Sequence, residues 1–211
     1  MKIVLATNNQ HKLREMQALA SAGVEFVTPV ALGLDFSVEE TGAAFRENAL
    51  LKARACYEAC GLPALGDDSG LVVRALDGRP GVYSARYAGE HGNDAANIRR
   101  VLDELAALEA NRTNTQGNVD RAAAFVCALA FVDTLGQEHF FDGQVAGELI
   151  RDPRGTDGFG YDPIFYVPEK GRTMAELPLA EKNGLSHRAR AFQAFFAWLD
   201  ANPAGAPRAP D

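Results

Sequence analysis

The sequence predicts an α/β protein, a two-lobed mixed sheet with flanking helices and its active site in the central cleft. Three observations carry that reading. Helix and strand patterns alternate in the first part of the chain, as in sheets built from crossover units. A long apolar strand joined by Thr134-Leu135-Gly136 to an antiparallel partner follows later, where antiparallel pairing dominates. The 211 residues, 47% of them hydrophobic, suffice for one sizeable domain or two small lobes sharing a core. No linker or repeat interrupts residues 1–200, which read as one domain of two lobes, while the proline- and alanine-rich segment 201–211 reads as a disordered tail.

Composition narrows the partners. A formal net charge of −7 without any run of lysine and arginine argues against nucleic acid and against an anionic membrane. The apolar stretches are too short to span a bilayer, and Met1 to Thr7 runs straight into Asn8-Asn9-Gln10, a strand start rather than a signal peptide. The three cysteines, Cys56, Cys60 and Cys127, form no C-x-x-C pair and read as small buried hydrophobes in a reducing, cytoplasmic setting. Four histidines without an H-x-x-x-H spacing give zinc little support.

Taken in order, Lys2 to Ala6 reads as a strand that stops in Thr7-Asn8-Asn9-Gln10-His11-Lys12 and restarts as a helix with Leu13, Met16 and Leu19. Such a turn presents free N–H groups and the positive end of a helix dipole, which suits phosphate; Asn9 is placed to cap the helix, and Lys12 lies in its first turn. The alternative is an ordinary capped helix with a solvated lysine. Val24 to Thr28 is a second strand. A helix over Ala43 to Cys60 follows, ended by Gly61, with the stripe Phe45, Ala49, Ala53, Cys56 and Cys60. Beside that stripe a row of small residues is interrupted by Asn48 and Lys52, which need a carboxylate or a bound anion as partner. Glu39 and Glu40 precede the helix, where they either offset its dipole or supply a carboxylate to magnesium.

The densest chemistry lies in Gly66-Asp67-Asp68-Ser69-Gly70. Two adjacent acids repel unless a cation, an ammonium group or a shared proton joins them, and alternation along a strand sends their side chains different ways. Ser69 and Gly70 are expected to turn the chain and open N–H groups to an anion. Strand resumes over Leu71 to Leu76, and Asp77-Gly78-Arg79-Pro80-Gly81 is turn chemistry. The stretch Val82 to Gly89, with two tyrosines and an arginine, is expected to be structured near the site. Asn93 to Glu109 is an amphipathic helix with Ile98, Val101, Leu102, Leu105 and Leu108 inward, and Asn111 to Asn118 a polar loop. Arg121 to Asp133 reads as a strand buried on both faces, paired with Glu138 to Ile150, where Gly143 and Gly147 mark possible bulges. Gly155 to Phe165 combines three glycines with aromatic residues and Asp162, a pattern that suits stacking on a flat ring as well as a plain loop. Ala180 to Arg188 forms a polar patch, with Ser186 as cap of a last helix that buries Ala189, Phe192, Phe195, Phe196 and Leu199.

The Thr-x-Asn-x-x-Lys turn, the Glu39-Glu40-Thr41-Gly42 helix start with Glu47, Asn48 and Lys52, the DDSGL core, G-x-Y-S-A-R-Y, F-G-Y-D-P-I-F and the final S-H-R occur in this order over residues 2 to about 199. Together they resemble the inosine triphosphate pyrophosphatase family, also called Ham1-like. Departures are Asn8 where glycine, Gly66 where alanine and Asn183 where serine is frequent. The resemblance implies a Maf/Ham1-type fold, a homodimer, magnesium dependence and a cytoplasmic house-cleaning role. It further implies hydrolysis of ITP, dITP and XTP to the monophosphate and pyrophosphate. Carried over position by position, it makes Asp68 the general base, Glu40 and Asp68 the magnesium contacts, and Thr7, Asn8, Asn9, Gln10, His11, Lys12, Lys52 and Ser69 the triphosphate contacts. Phe159, Gly160, Tyr161, Asp162, Lys182, His187 and Arg188 then form the base and sugar site. Two rivals remain at this point, a Maf-like pyrophosphatase of other base preference and a nucleotide-binding sensor without turnover.

Overall fold

The structure, a computed structural model, describes residues 1–20, 23–111 and 119–202. The expected polar loop after Asn111 and the tail beyond Asn202 lie outside the described residues. The fold is mixed α/β, with a seven-stranded sheet in the order β2-β1-β3-β4-β5-β6-β7. The strands are β1 (Lys2–Leu5), β2 (Glu25–Val27), β3 (Ala64–Val73), β4 (Ala122–Val132), β5 (Glu138–Leu149), β6 (Phe165–Val167) and β7 (Arg172–Thr173). The helices are α1 (Gln10–Ala18), α2 (Phe45–Cys60), α3 (Asp94–Ala110), α4 (Leu179–Leu185) and α5 (His187–Ala201). Strand β1 pairs in parallel with β2 and β3, whereas β5 with β6 and β6 with β7 are antiparallel.

The chain divides into two compact units, the first holding Met1–Asp68, Ala128–Gly143 and the segment from Arg188, the second Ser69–Cys127 and Gln144–His187. In the first, the small face of α2 sets its backbone close to the sheet: Ala49, Ala53 and Cys56 are fully buried, and Ala49 and Ala53 pack with Ala130 and Val132. A Cβ on Gly66 of β3 would lie 2.1 Å from the Ala49 carbonyl oxygen, so this approach requires glycine. Phe192 and Phe195 of α5 are buried, with Phe192 edge-on to Phe26 and Phe195 edge-on to Phe131 and Phe141. Each such ring contributes roughly 1.5–3 kcal/mol by leaving water. In the second unit, Leu71, Val73, Val101, Leu105, Phe125, Val145, Leu149, Ile164 and Phe165 form one continuous core.

Several expectations need correction. Ser69 and Gly70 do not turn the chain; β3 runs through them as ten unbroken strand residues. The acids at its middle can stay in the sheet because ammonium groups meet them there. The strand stops at Val73, and Arg74–Leu76 is a 3-10 turn closed by Asp77 at φ 52°. On β5, Gly147 is glycine because a Cβ would meet the Phe165 ring at 2.6 Å. Burial of β4 is continuous only from Cys127, its earlier residues alternating. Leu108 of α3 is 39% exposed, so the buried face of that helix ends at Leu105. Helix α4 was not expected; its stretch carries glycine and asparagine and lacks a clear apolar period.

Candidate active site

Strand β3 carries Asp67 and Asp68 at the edge of the first unit's opening segment, buried to 2% and 5% exposure. Alternation gives them different partners. The Lys12 ammonium lies 2.9 Å from Asp67 Oδ2, and the Arg188 Nε 4.0 Å from the same oxygen. Asp68 Oδ2 instead accepts from the Asn48 amide at 3.1 Å, and its Oδ1 is 3.8 Å from the Lys52 ammonium. Lys52 also donates to Glu40 Oε1 at 2.6 Å.

The electrostatics separate the two neighbours. Burial alone would raise the Asp67 carboxyl, yet Lys12, Lys52 and Arg188 hold it well below the usual carboxylate range. Burial also raises Asp68, and there the opposing ammonium groups and the Asn48 hydrogen bond fail to cancel it while Glu40 adds to it. Lys52, which burial would lower, is held above its usual value by Asp67, Asp68 and Glu40. Asp67 is therefore a fixed anion and Asp68 a carboxyl with raised proton affinity. Pairs of acids pushed apart in this way mark acid–base assignments.

Helix placement explains the geometry. Asn48 and Lys52 stand one turn apart on α2, with Asn48 further fixed by accepting from the Gly42 amide at 2.7 Å. Asn9 caps α1, accepting from the amides of His11 and Lys12. Those two amides of the turn are thus taken. The Asn9 amide goes to Thr7 Oγ1 at 3.2 Å, and the Asn8 side chain donates to the Phe36 carbonyl at 2.7 Å. The Asn8 and Gln10 amides have no partner among the described residues. His11 is exposed, its ring beside Arg14. Ser69 follows on β3 as a half-buried residue.

Glu15 escaped the sequence reading. It is buried on α1 and takes the guanidinium of Arg188, which is itself 1% exposed. Arg188 thus stands with Glu15 and with Asp67 of β3. Asn48 was noted as a polar interruption but not assigned to the site. A buried carboxylate on a helix otherwise read by its apolar residues offers no local signal.

In the second unit, the loop before the 3-10 turn Asp162–Ile164 builds a separate cluster. Asp162 Oδ2 accepts from the Phe159 amide at 3.0 Å and from the Lys182 ammonium of α4 at 2.7 Å. The ammonium lies 5.1 Å from the Phe159 ring centroid. Gly158, at φ 83°, has room for no side chain, since a Cβ would be 2.1 Å from Asp162 Oδ2. The Tyr161 hydroxyl donates to the Ser84 carbonyl at 2.9 Å, and burial raises its pKa. His187 stacks on Phe125 at 5.1 Å, which stacks in turn on Phe165 at 4.3 Å.

Glu40 and Asp68 are the carboxylates suited to a divalent ion. Both face the Lys52 ammonium, and two carboxylates completed by water and phosphate oxygens are a donor set that magnesium accepts. Among the described residues no cluster of three or more acidic, histidine or cysteine ligands forms. Glu47 is engaged with the Ala43 amide at 2.8 Å, and Glu39 is exposed.

Comparison with known proteins identifies the family. The model of the Ham1 family matches residues 3–198. A protein of Geobacter sulfurreducens named dITP/XTP pyrophosphatase is 50% identical over 194 residues, 90% of this chain and 92% of its own. One of the same name from Haemophilus influenzae is 48% identical, covering 90% and 94%. Among solved structures, a HAM1 protein from Coxiella burnetii matches with a TM-score of 0.84 at 43% identity, covering 95% of this chain and 99% of that one. The Staphylococcus aureus Ham1 protein gives 0.82 at 42% identity with the same coverage. A match of this length and identity places the protein in the Ham1 family.

Proposed function

We propose that this chain hydrolyses non-standard purine nucleoside triphosphates, dITP, ITP and XTP, to the monophosphate and pyrophosphate. The observation that carries the proposal is the pair of neighbouring buried acids on β3, Asp67 against Lys12 and Asp68 against Asn48 and Lys52. The relatives' shared name supports the substrate class. In this reading Asp68 orients the attacking water and takes its proton at the α-phosphorus, a role that contributes roughly 10²- to 10⁴-fold. Asp67 keeps Lys12 in place, and Lys12 and Lys52 set fixed positive charge where negative charge grows on the leaving pyrophosphate. Thr7 to Lys12 and Ser69 line the triphosphate end. Magnesium held by Glu40 and Asp68 would offset phosphate charge and polarise the phosphoryl group.

The purine is assigned to the Phe159–Lys182 cluster, with its ring on Phe159, Gly160 to Asp162 at its edge and the sugar nearby. Donors at Lys182 and His187 favour a 6-oxo purine, whose carbonyl accepts; adenine offers an amino donor and leaves them unmatched, a penalty of about 1–3 kcal/mol per buried group. Arg188 acts from the acid side, through Asp67. We assign the enzyme to the cytoplasm as a homodimer acting on free nucleotides, without nucleic acid or membrane. Among the described residues, no helix is long and apolar enough to cross a bilayer.

Hydrolysis in ¹⁸O-labelled water tests the chemistry. The label should appear in the monophosphate; label in pyrophosphate would move the attack to another phosphorus and remove Asp68 from the proposed role.

A further inference from the structure

The loop 155–162 is held at many points. Gly155 packs on Ala175 so closely that a Cβ would be 2.4 Å from its carbonyl oxygen, and the Asp157 amide donates to that carbonyl at 3.1 Å. Asp162 draws in the Phe159 amide from within the loop. Two anchors come from distant sequence. The Ser84 carbonyl takes the Tyr161 hydroxyl, and the Asp94 carboxylate takes the Gly160 amide at 2.7 Å. Gly160 sits at φ 62° with nothing within 4 Å of a Cβ, so its glycine serves backbone conformation alone.

Asp94 is the first residue of α3, where a carboxylate is favoured by the dipole and Asn93 supplies the cap. One turn on, buried Asn97 accepts from the Ala88 amide at 2.7 Å and donates to the Ala85 carbonyl at 3.3 Å. That fixes the 3-10 segment Gly81–Arg86, which carries Ser84. The first turn of α3 therefore reaches the aromatic loop by two routes, directly through Asp94 and indirectly through Asn97 and Ser84.

Building on the proposed function, we propose that Asp94 is a positioning residue for the purine: by holding the Gly160 amide it fixes Phe159 over the Lys182 ammonium and so sets affinity for the base, without part in phosphorus–oxygen cleavage. A charge-assisted hydrogen bond to a backbone amide is directional, so its loss frees the peptide between Phe159 and Gly160 to rotate. Asp162 still holds the Phe159 amide in that case, so the loop loosens rather than unfolds.

The test compares wild type with Asp94→Ala, Asp94→Asn and Asp94→Glu on ITP and on ribose 5-triphosphate, which lacks the base. Asp94→Ala should raise KM for ITP roughly five- to tenfold, with kcat within about twofold and ribose 5-triphosphate kinetics unchanged. Asp94→Asn, whose amide oxygen still accepts from Gly160, should restore KM to within about twofold. Asp94→Glu, which displaces the acceptor, should behave as alanine does, and covers the case of an unfolded alanine variant. Unchanged KM for ITP in both Asp94→Ala and Asp94→Glu overturns the inference, as does an equal rise for the base-free triphosphate. Absence of ITP hydrolysis by wild type overturns the underlying function instead, before any variant is compared.

Discussion

Asp67 and Asp68 are successive residues of one strand, and what faces each of them decides its chemistry. Asp67 looks onto Lys12 and Arg188 and is stabilised as an anion; Asp68 accepts from the Asn48 amide and shares Lys52 with Glu40. Replacing them should therefore have opposite consequences. Asp67→Asn takes the counter-charge from half-buried Lys12 and leaves Arg188 to Glu15, a loss of about 3 kcal/mol, or roughly 10 °C in melting temperature. Asp68→Asn removes a charge that burial disfavours, so melting should stay at or above wild type while the rate falls by about 10²- to 10⁴-fold. Calorimetry and pyrophosphate release on both variants check this; a Tm loss at Asp68 equal to that at Asp67 would refute the division of roles. The separation of the two acids was legible in the sequence, because strand alternation alone sends adjacent side chains apart. Which acid would be anchored was not, since Arg188 and Glu15 meet across 173 positions of sequence.

Helix α2 and the β4–β5 hairpin show how elements carry the site. The small face of α2 lets Asn48 and Lys52 reach β3, and periodicity marked both that face and its polar interruptions. Ala53→Leu should overpack the contact at a cost of about 1–3 kcal/mol and withdraw Lys52 from Asp68, so that activity drops at temperatures where the variant remains folded. Thermal melts with rates measured well below Tm distinguish the two effects. At the hairpin, Asp133 Oδ1 accepts from the amides of Leu135 and Gln137, and Oδ2 meets His139 at 2.9 Å. Burial alone would raise Asp133, but these partners depress it. Its stabilisation is thus fully present above the unfolded value of roughly 3.9 and is lost as pH falls through the lower folded value. Urea midpoints at pH 7 and pH 3 should differ less for Asp133→Asn than for wild type; an equal difference would contradict the assignment. The turn itself is readable from Gly136, whereas the serine and glycine of the DDSG strand suit a turn as readily as a strand. At Gly66 the demand comes from a helix backbone passing overhead, not from a bend.

At the scale of the molecule, the order of motifs identified the family, while packing determined how each motif is used. The mixed sheet, its hairpin and four of the helices followed from period and turn residues. Helix α4 did not, because its fixed point is tertiary: Lys182 held on Asp162 across 20 residues. The central claim is that acids and ammonium groups from distant segments cooperate in cleaving a 6-oxo purine triphosphate. It is tested most directly by pyrophosphate release from ITP, dITP, XTP, ATP and GTP, with and without magnesium, for wild type and Asp68→Asn. The account predicts magnesium-dependent pyrophosphate from the first three, at least about tenfold less from ATP, and near-complete loss in the variant. Equal turnover of ATP and ITP, or an active Asp68→Asn enzyme, would contradict it.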